Sequence, residues 1–425
     1  MTERQDSARR NRPRLSLHVP EPRFRPGDTV DFSHIAISRA GDQPRPDEVC
    51  EASETWPLCN DLVRVLGDDG LAHGPWNPRL SPDKLRELLR LMALTRTFDN
   101  RMYRAQRQGK TSFYLKSSGE EATSVCAAQA LDFEDMIFPS YRQQGCMIAR
   151  GYPIVEMVNQ IYSNRADKLK GRQLPILYSA RSVNFFTISG NLGTQLPQAT
   201  GFAMASAMKH DSRIASSWVG EGASAEGDFH AALTFAAVYN APVIFNVVNN
   251  QWAISSFSGL AGAERATFAA RAIGYGIAGL RVDGNDALAV YAAERWAADR
   301  ARSNKGPTLI EFFTYRAEGH STSDDPNAYR AKESEAWPLG DPITRLREHL
   351  IAIGEWSEEQ HSQMESELDE EVKAAQREAE KNGILGHGLH HPFHTMFEDV
   401  FEELPWHLEE QAAQAIRERQ IKWPE

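Results

Sequence analysis

Residues 214–219 and 242–248 are two short, apolar, β-prone runs with a glycine-rich loop and a helix-forming stretch between them. No other pattern in the chain limits its fold as much. The loop reads Gly220-Glu221-Gly222-Ala223-Ser224-Ala225-Glu226-Gly227-Asp228, and Phe229, Leu233, Phe235, Ala236 and Val238 follow it as a run suited to a helix. Strand, loop, helix and strand make a βαβ unit. Glycines let the loop backbone approach a ligand closely, and a helix N-terminus favours negative charge. Glu221 and Asn250 then fall just past two strand carboxyl ends, where open α/β sheets bind their ligands.

Two nucleotide-binding readings fail on the residues. A dinucleotide fingerprint needs glycine at the sixth position, here Ala225, and an acid closing the second strand, which instead ends Val248-Asn249-Asn250. A Walker loop needs Gly-Lys-Ser/Thr, and this loop has no lysine. An acid in a phosphate loop repels its ligand unless a divalent cation intervenes. Mg²⁺ takes oxygen ligands and shares its sphere with phosphates and water. The Glu221 carboxylate, the Asn250 amide oxygen and a nearby backbone carbonyl suit it. On the loop alone, a glycine turn before an Asn-rich strand end stays open as an alternative.

The same alternation extends along the chain. Ser81-Pro82 opens a helix carrying Leu85, Leu88, Leu89, Met92 and Phe98 and ending near Gly109. Between Gly119 and Tyr315, strands are expected at 136–138, 214–219, 243–248, 277–282 and 309–315, with helical stretches between them. This is an α/β pattern: a mostly parallel sheet with helices on both faces. Residues 1–75, rich in Pro, Asp and Arg, read as an N-terminal extended arm wrapping a neighbour. Residues 76–345 form the α/β domain and 346–425 a C-terminal helical region, acidic over 358–381.

Composition excludes several function classes. The net charge of −11 argues against nucleic acid as a partner, and no apolar run reaches membrane-spanning length. Cys50, Cys59, Cys126 and Cys146 have no metal-ligand spacing and read as reduced thiols in the cytoplasm. Arg4, Arg9, Arg10, Arg12 and Arg14 raise import into the mitochondrial matrix as a weaker reading, because Glu3 and Asp6 interrupt them. His387, His390, His391 and His394 cluster, but Gly386, Gly388 and Pro392 break any common face, so the segment reads as a surface loop.

The span from Glu221 to Asn250 resembles the thiamine-diphosphate motif, which runs from Gly-Asp/Glu-Gly to Asn-Asn. Further stretches carry a fuller resemblance: Ser112-Phe113-Tyr114, Gly119-Glu120-Glu121, Tyr141-Arg142, Lys170-Gly171-Arg172-Gln173, Thr187-Ile188-Ser189, Arg281 to Asp286, and Tyr315-Arg316 through Tyr329-Arg330. In this order they resemble the alpha subunits of branched-chain 2-oxo acid dehydrogenase E1 components, from about Leu62 to the C-terminus.

The resemblance implies a thiamine-diphosphate-binding fold and a set of roles. Mg²⁺ would be held by Glu221, Asn250 and the backbone carbonyl of Trp252. Gly190, Gly220, Gly222, Ala223, Tyr141, Arg142, Leu192 and His320 would surround the cofactor, with Arg142 on the diphosphate and Leu192 as the wedge that bends it. Phe113 and Tyr141 would face the 2-oxo acid. His320, which as a free histidine titrates near neutrality, would assist acyl transfer to a lipoyl arm. Ser189, Thr194 and Gln195 match a K⁺ site, although a turn network explains them as well. Arg316, Asp324, Tyr329 and Arg330 would order the loop that docks a lipoyl domain. Ser321 takes the position phosphorylated in mitochondrial relatives, or simply caps the loop. Some relatives place an arginine where this chain has Val248, which shifts charge balance onto Mg²⁺ and Arg142.

One α/β domain lacks the carboxylate that must protonate the aminopyrimidine ring. The resemblance supplies a partner for it: a beta subunit in an α₂β₂ heterotetramer, which passes acyl groups to the lipoyl domain of E2. Oxidative decarboxylation of branched-chain 2-oxo acids is thus the expected activity. The same machinery acting on pyruvate or acetoin, and a non-catalytic nucleotide-binding subunit, stay open as alternatives.

Overall fold

The computed structural model of the chain describes residues 16–332, 336–388 and 391–422. The arginines at 4, 9, 10, 12 and 14 and His390 lie outside the described residues. Six strands form one parallel sheet in the order β1-β7-β8-β4-β3-β2: β1 is Leu62–Val63, β2 Met136–Phe138, β3 Ala215–Gly220, β4 Val243–Asn249, β7 Ala278–Asp283 and β8 Thr308–Phe313. A separate antiparallel pair, β5 (Trp252–Ala253) and β6 (Ser256–Phe257), follows β4 directly.

Burial on both sides explains why the strands read as continuous apolar runs. Every residue of β4 is buried. Its Ile244 and Val248 join one apolar layer, while Val243, Phe245 and Val247 join the other. The first layer is formed with α1 (Pro82–Arg107), α2 (Glu121–Ala130), α3 (Gln144–Ala149), α4 (Ile154–Tyr162) and α8 (Ala287–Arg302). The second takes α5 (Gln195–Met208), α6 (Gly227–Val238) and α7 (Arg271–Tyr275). Helices therefore cover both faces, as expected. In the C-terminal region α9 (Pro342–Ala352) and α10 (Glu358–Glu380) pack on α1, and α11 (Trp406–Lys422) follows.

Register aligns the strand ends that matter. Gly220 pairs with Val248, Asn249 with Phe313, and Asp283 with Phe313. The chain thus leaves β3, β4, β7 and β8 at one level. The first helix starts as read, with the Ser81 hydroxyl accepting from the Lys84 amide and Pro82 in the first turn. Strands β3, β7 and β8 are displaced by one or two residues from the expected 214–219, 277–282 and 309–315, because pairing with neighbours rather than apolarity sets their ends.

The segment read as an arm wrapping a neighbour differs more. From Phe32 on it is packed on its own domain, with Phe32, Ile35 and Ile37 against the Tyr315–Trp337 cluster, and it supplies the edge strand β1. Trp296 and Trp76 donate their indole N–H groups to the carbonyls of Pro46 and Pro44, each at 2.9 Å, and Arg300 donates to Cys50 O at 2.7 Å. These buried donors need acceptors, and residues 44–50 provide them. Asp286, fully buried, ties the edge to the core: one carboxylate oxygen accepts from the amides of Val65 (2.8 Å) and Leu66 (2.6 Å), the other from Leu288 and Ala289 at the start of α8. Arg345 stands 3.5 Å away. Replacing Asp286 with Ala strands four backbone donors, although Arg345 keeps its closer ion pair with Asp283 at 2.8 Å, so Asp286→Ala should lose about 3–5 kcal/mol in urea unfolding. A loss below about 1 kcal/mol, the size of an exposed cap, would contradict this account.

Candidate functional site

Beyond the aligned ends of β3 and β4 lies a cavity of about 540 Å³. Its lining includes Phe113, Tyr141, Arg142, Gly190, Leu192, Gln195, Gly220, Glu221, Gly222, Ala223, Asn250, Trp252 and His320. Thirteen positions scattered over two hundred residues of sequence thus converge on one space. Ser189 and Thr194 do not line it. Their side chains bind the backbone of Asn191, at 3.1 and 3.0 Å, while the Gln195 amide donates to Trp218 O at 2.6 Å. Those three residues form turn and strand contacts here.

The glycine loop closes over a short 3₁₀ turn, Gly222–Ala225, before α6 begins. A side chain at Gly222 would come within 2.4 Å of Ala253 Cβ, whereas a Cβ at Gly220 would meet nothing within 4 Å. Glycine at 222 is therefore required by the close approach of β5, and Gly220 leaves room in front of the strand end.

At the floor, Glu221 is 2% exposed. Its Oε2 accepts from the backbone N–H of Asn250 at 3.4 Å and its Oε1 has no hydrogen-bond partner among the described residues. Burial, with the neighbouring Glu120 carboxylate adding to it, pushes the Glu221 carboxyl up to about 7. Asn250 donates its amide N–H to Glu120 Oε1 at 2.8 Å, and its Oδ1 accepts from Trp252 N at 3.2 Å. The Trp252 carbonyl accepts from Arg316 at 2.9 Å. Carboxylate, amide and carbonyl oxygens are the donor set of a hard cation, and an unpartnered buried carboxylate oxygen is what a bound cation would satisfy. The residues fit Mg²⁺. Among the described residues no cluster of three His, Cys, Asp or Glu could hold a metal by itself. A cation here therefore draws further ligands from backbone, bound anion or water. The histidines at 387, 391 and 394 form no such cluster, and His391 is engaged with Asp167 O at 2.9 Å.

Arg142 and Arg316 supply positive charge beside these acids. Arg142, 4% exposed, bonds to Lys116 O, to His320 O at 3.1 Å and to His320 Nδ1 at 3.3 Å. Arg316 reaches the same ring nitrogen at 3.5 Å. Guanidinium groups only donate, so Nδ1 of His320 is the acceptor and Nε2 carries the proton. Burial first, then the two guanidinium charges, depress this imidazole to about 3. Free-histidine behaviour near neutrality is thus overturned by the tertiary surroundings: His320 is a neutral N–H donor. Its contribution to stability is present above about 6.5, where the unfolded ring is also neutral, and is lost as pH falls towards 3.

The loop following His320 is ordered by the residues read for it. Arg316 donates to Tyr329 OH at 2.7 Å and to Ile254 O at 2.8 Å, and Tyr329 donates to Asp324 at 2.7 Å. Arg330 donates to the carbonyls of Arg316 and Glu318, both at 2.8 Å. Ser321 is buried, and its hydroxyl accepts from Ser323 N at 3.2 Å, a local turn. Residue type and spacing alone assign no role to Glu120 or to the apolar wall Leu174, Ile176 and Leu177. A continuous apolar run over 174–177, broken only by Pro175, was the one signal available.

Comparison with known proteins places these features in a wider group. A family model described as "Dehydrogenase E1 component" matches residues 89–387, and one described as "2-oxoisovalerate dehydrogenase E1 alpha subunit N terminal" matches 13–53. The chain is similar to a 2-oxoisovalerate dehydrogenase subunit alpha of Pseudomonas aeruginosa, 60% identical over 348 residues, spanning 82% of this chain and 85% of the relative. The mitochondrial counterpart from Homo sapiens is 43% identical over 305 residues, 70% of this chain and 68% of its own length. One from Arabidopsis thaliana is 42% identical over 315 residues, 71% and 65%.

Histidine ¹³Cε1 NMR tests the ring assignment, with His320→Gln identifying the resonance. The His320 signal should stay that of a neutral ring from pH 8 down to pH 5; a midpoint near 6.5 would contradict the two-guanidinium geometry.

Proposed function

The chain belongs to the dehydrogenase E1 component family, and from that premise we propose that it is the alpha subunit of a branched-chain 2-oxo acid dehydrogenase E1 component, using thiamine diphosphate to decarboxylate 2-oxoisovalerate and its homologues. The observation that carries the proposal is the Glu221 carboxylate oxygen left without a partner beside Asn250 at two strand ends. When bound, thiamine diphosphate supplies the carbon nucleophile that attacks the 2-oxo group and the electron sink that holds the charge after CO₂ leaves. Every other task falls to protein groups. Glu221, Asn250 and the Trp252 carbonyl hold Mg²⁺, which screens the diphosphate from the acid floor. Arg142 adds a planar cation suited to phosphate oxygens, and Gly220 leaves clearance. No side-chain charge comes from Val248, which is buried in the apolar layer.

His320 keeps a neutral Nε2–H in the cavity, suited to donating a hydrogen bond to an oxygen that gains charge. That role does not require the ring to titrate. Phe113, Leu174, Ile176 and Leu177 offer an apolar wall for a branched aliphatic chain, and Leu192 stands at the mouth. A K⁺ ion at the Ser189–Gln195 turn is part of the reading by resemblance, where it would stiffen the turn that carries Gly190 and Leu192.

The cavity has an apolar rim that argues for a second chain. Leu174, Leu192, Ile254 and Leu260 are 56%, 44%, 55% and 58% exposed, a cluster that a partner surface would cover. The lining carries two carboxylates: Glu221, committed to the metal, and Glu226, exposed at the start of α6. The acid that protonates the aminopyrimidine is accordingly assigned to an E1 beta subunit of an α₂β₂ assembly. The lipoyl domain of E2 would dock beside the loop that Arg316 and Arg330 order. A cytoplasmic location is the reading that the four free cysteines support.

Reconstitution with the beta subunit and a lipoyl domain tests the substrate. 2-Oxoisovalerate should exceed pyruvate in kcat/KM by at least about tenfold, the low end of what one buried methylene is worth. Preference for pyruvate would overturn the assignment. Glu221→Ala should abolish turnover of the complex, and unchanged turnover would favour the non-catalytic reading. The alpha chain alone should decarboxylate nothing; full activity from it would refute the split site.

A further inference from the structure

Glu120 contacts the metal site without lining the cavity. We propose that Glu120 is a positioning residue for this site, whose carboxylate fixes the orientation of the Asn250 amide and holds Arg142 beside it. The inference rests on the reading of Glu221 and Asn250 given above and deepens it. An asparagine amide has two ends of nearly equal shape, and only the oxygen end binds a cation. Rotated by half a turn, it would present an NH₂ group to Mg²⁺. In its ionised form, which the Arg142 guanidinium beside it favours against the effect of burial, the Glu120 carboxylate accepts and does not donate. The 2.8 Å contact between Asn250 Nδ2 and Glu120 Oε1 therefore forces the nitrogen towards Glu120. Asn250 Oδ1 is left on the other side, where it takes one backbone N–H from Trp252 and keeps a lone pair.

The fold around Glu120 is built to hold it still. Gly119 has φ +90°, and a Cβ there would meet Tyr315 O at 2.6 Å, so the turn delivering Glu120 admits only glycine. The Gly119 carbonyl accepts from Asn285 (2.9 Å) and Thr314 (3.1 Å). Its amide donates to Glu121, which is itself gripped by the Arg96 fork at 2.6 and 2.7 Å. The Glu120 amide donates to Ser117 O at 2.8 Å. Glu120 is 2% exposed, and Arg142 Nε stands 3.7 Å from the oxygen that receives Asn250. One carboxylate oxygen thus serves both the cation side and the anion side of the site.

The test uses the assembled complex with its beta subunit. Mn²⁺ binding in the presence of thiamine diphosphate, read by electron paramagnetic resonance, should weaken about 10- to 100-fold in Glu120→Ala, the range for a residue that orients a metal ligand. KM for the 2-oxo acid should change by less than about threefold, because Glu120 touches no substrate surface. Glu120→Gln keeps an acceptor oxygen for Asn250 but adds a donor end that also tolerates the flipped amide, so its Mn²⁺ affinity should fall between those of wild type and the Ala variant. Should Glu120→Ala fail to assemble, a second pair decides. Asn250→Asp should lose Mn²⁺ through repulsion from Glu120, and adding Glu120→Gln should restore binding. Wild-type affinity in Glu120→Ala, or no restoration in the double variant, would overturn the inference. A wild-type complex that binds neither Mn²⁺ nor thiamine diphosphate would instead overturn the underlying reading.

Discussion

A carboxylate removed from water is strongly disfavoured unless charge or hydrogen bonds replace the solvent, and this fold keeps two of them, Glu120 and Glu221, close together at the end of its central strands. The surrounding arrangement follows from that constraint. Arg142 and Arg316 are brought in against them, and the two guanidiniums also face the buried imidazole of His320. Burial of the ring, with those two charges added to it, keeps His320 neutral and singly protonated. Glu221, still short of one partner, is the point at which a cation completes the balance.

The parallel sheet makes this concentration possible. Its strands β3, β4, β7 and β8 end level, so the loops that follow them leave the sheet side by side at its carboxyl edge. The helices on one face bring Glu120 on the turn before α2. The loops beyond β4 and β8 bring Asn250 and His320. Residues 44–75 and the C-terminal helices brace this arrangement from outside through buried donors and through Asp286.

Legibility in the sequence followed the distance between cooperating residues. The βαβ unit, Glu221 and Asn250 could be read because strand, loop and strand lie within forty residues and the pattern of apolar runs announces them. The helix at Ser81-Pro82 was equally plain, since its cap is local. Glu120 was not, because its partner Asn250 lies 130 residues away and only packing joins them. The two-residue strand β1 lacks enough pattern to be seen, and its place in the sheet comes from pairing with β7. The depressed titration of His320 depends on Arg142, 178 positions distant, so residue type pointed the wrong way. Leu174, Ile176 and Leu177 became a site wall through the turn that seats them.

The most direct test of the account is the anomalous difference density of Mn²⁺ in a crystal of the assembled complex loaded with thiamine diphosphate. A single peak in each alpha chain, within coordination distance of Glu221 Oε1, Asn250 Oδ1 and the Trp252 carbonyl, is the predicted result. A peak held by other residues, or Glu221 still without a metal when the diphosphate is bound, would contradict it.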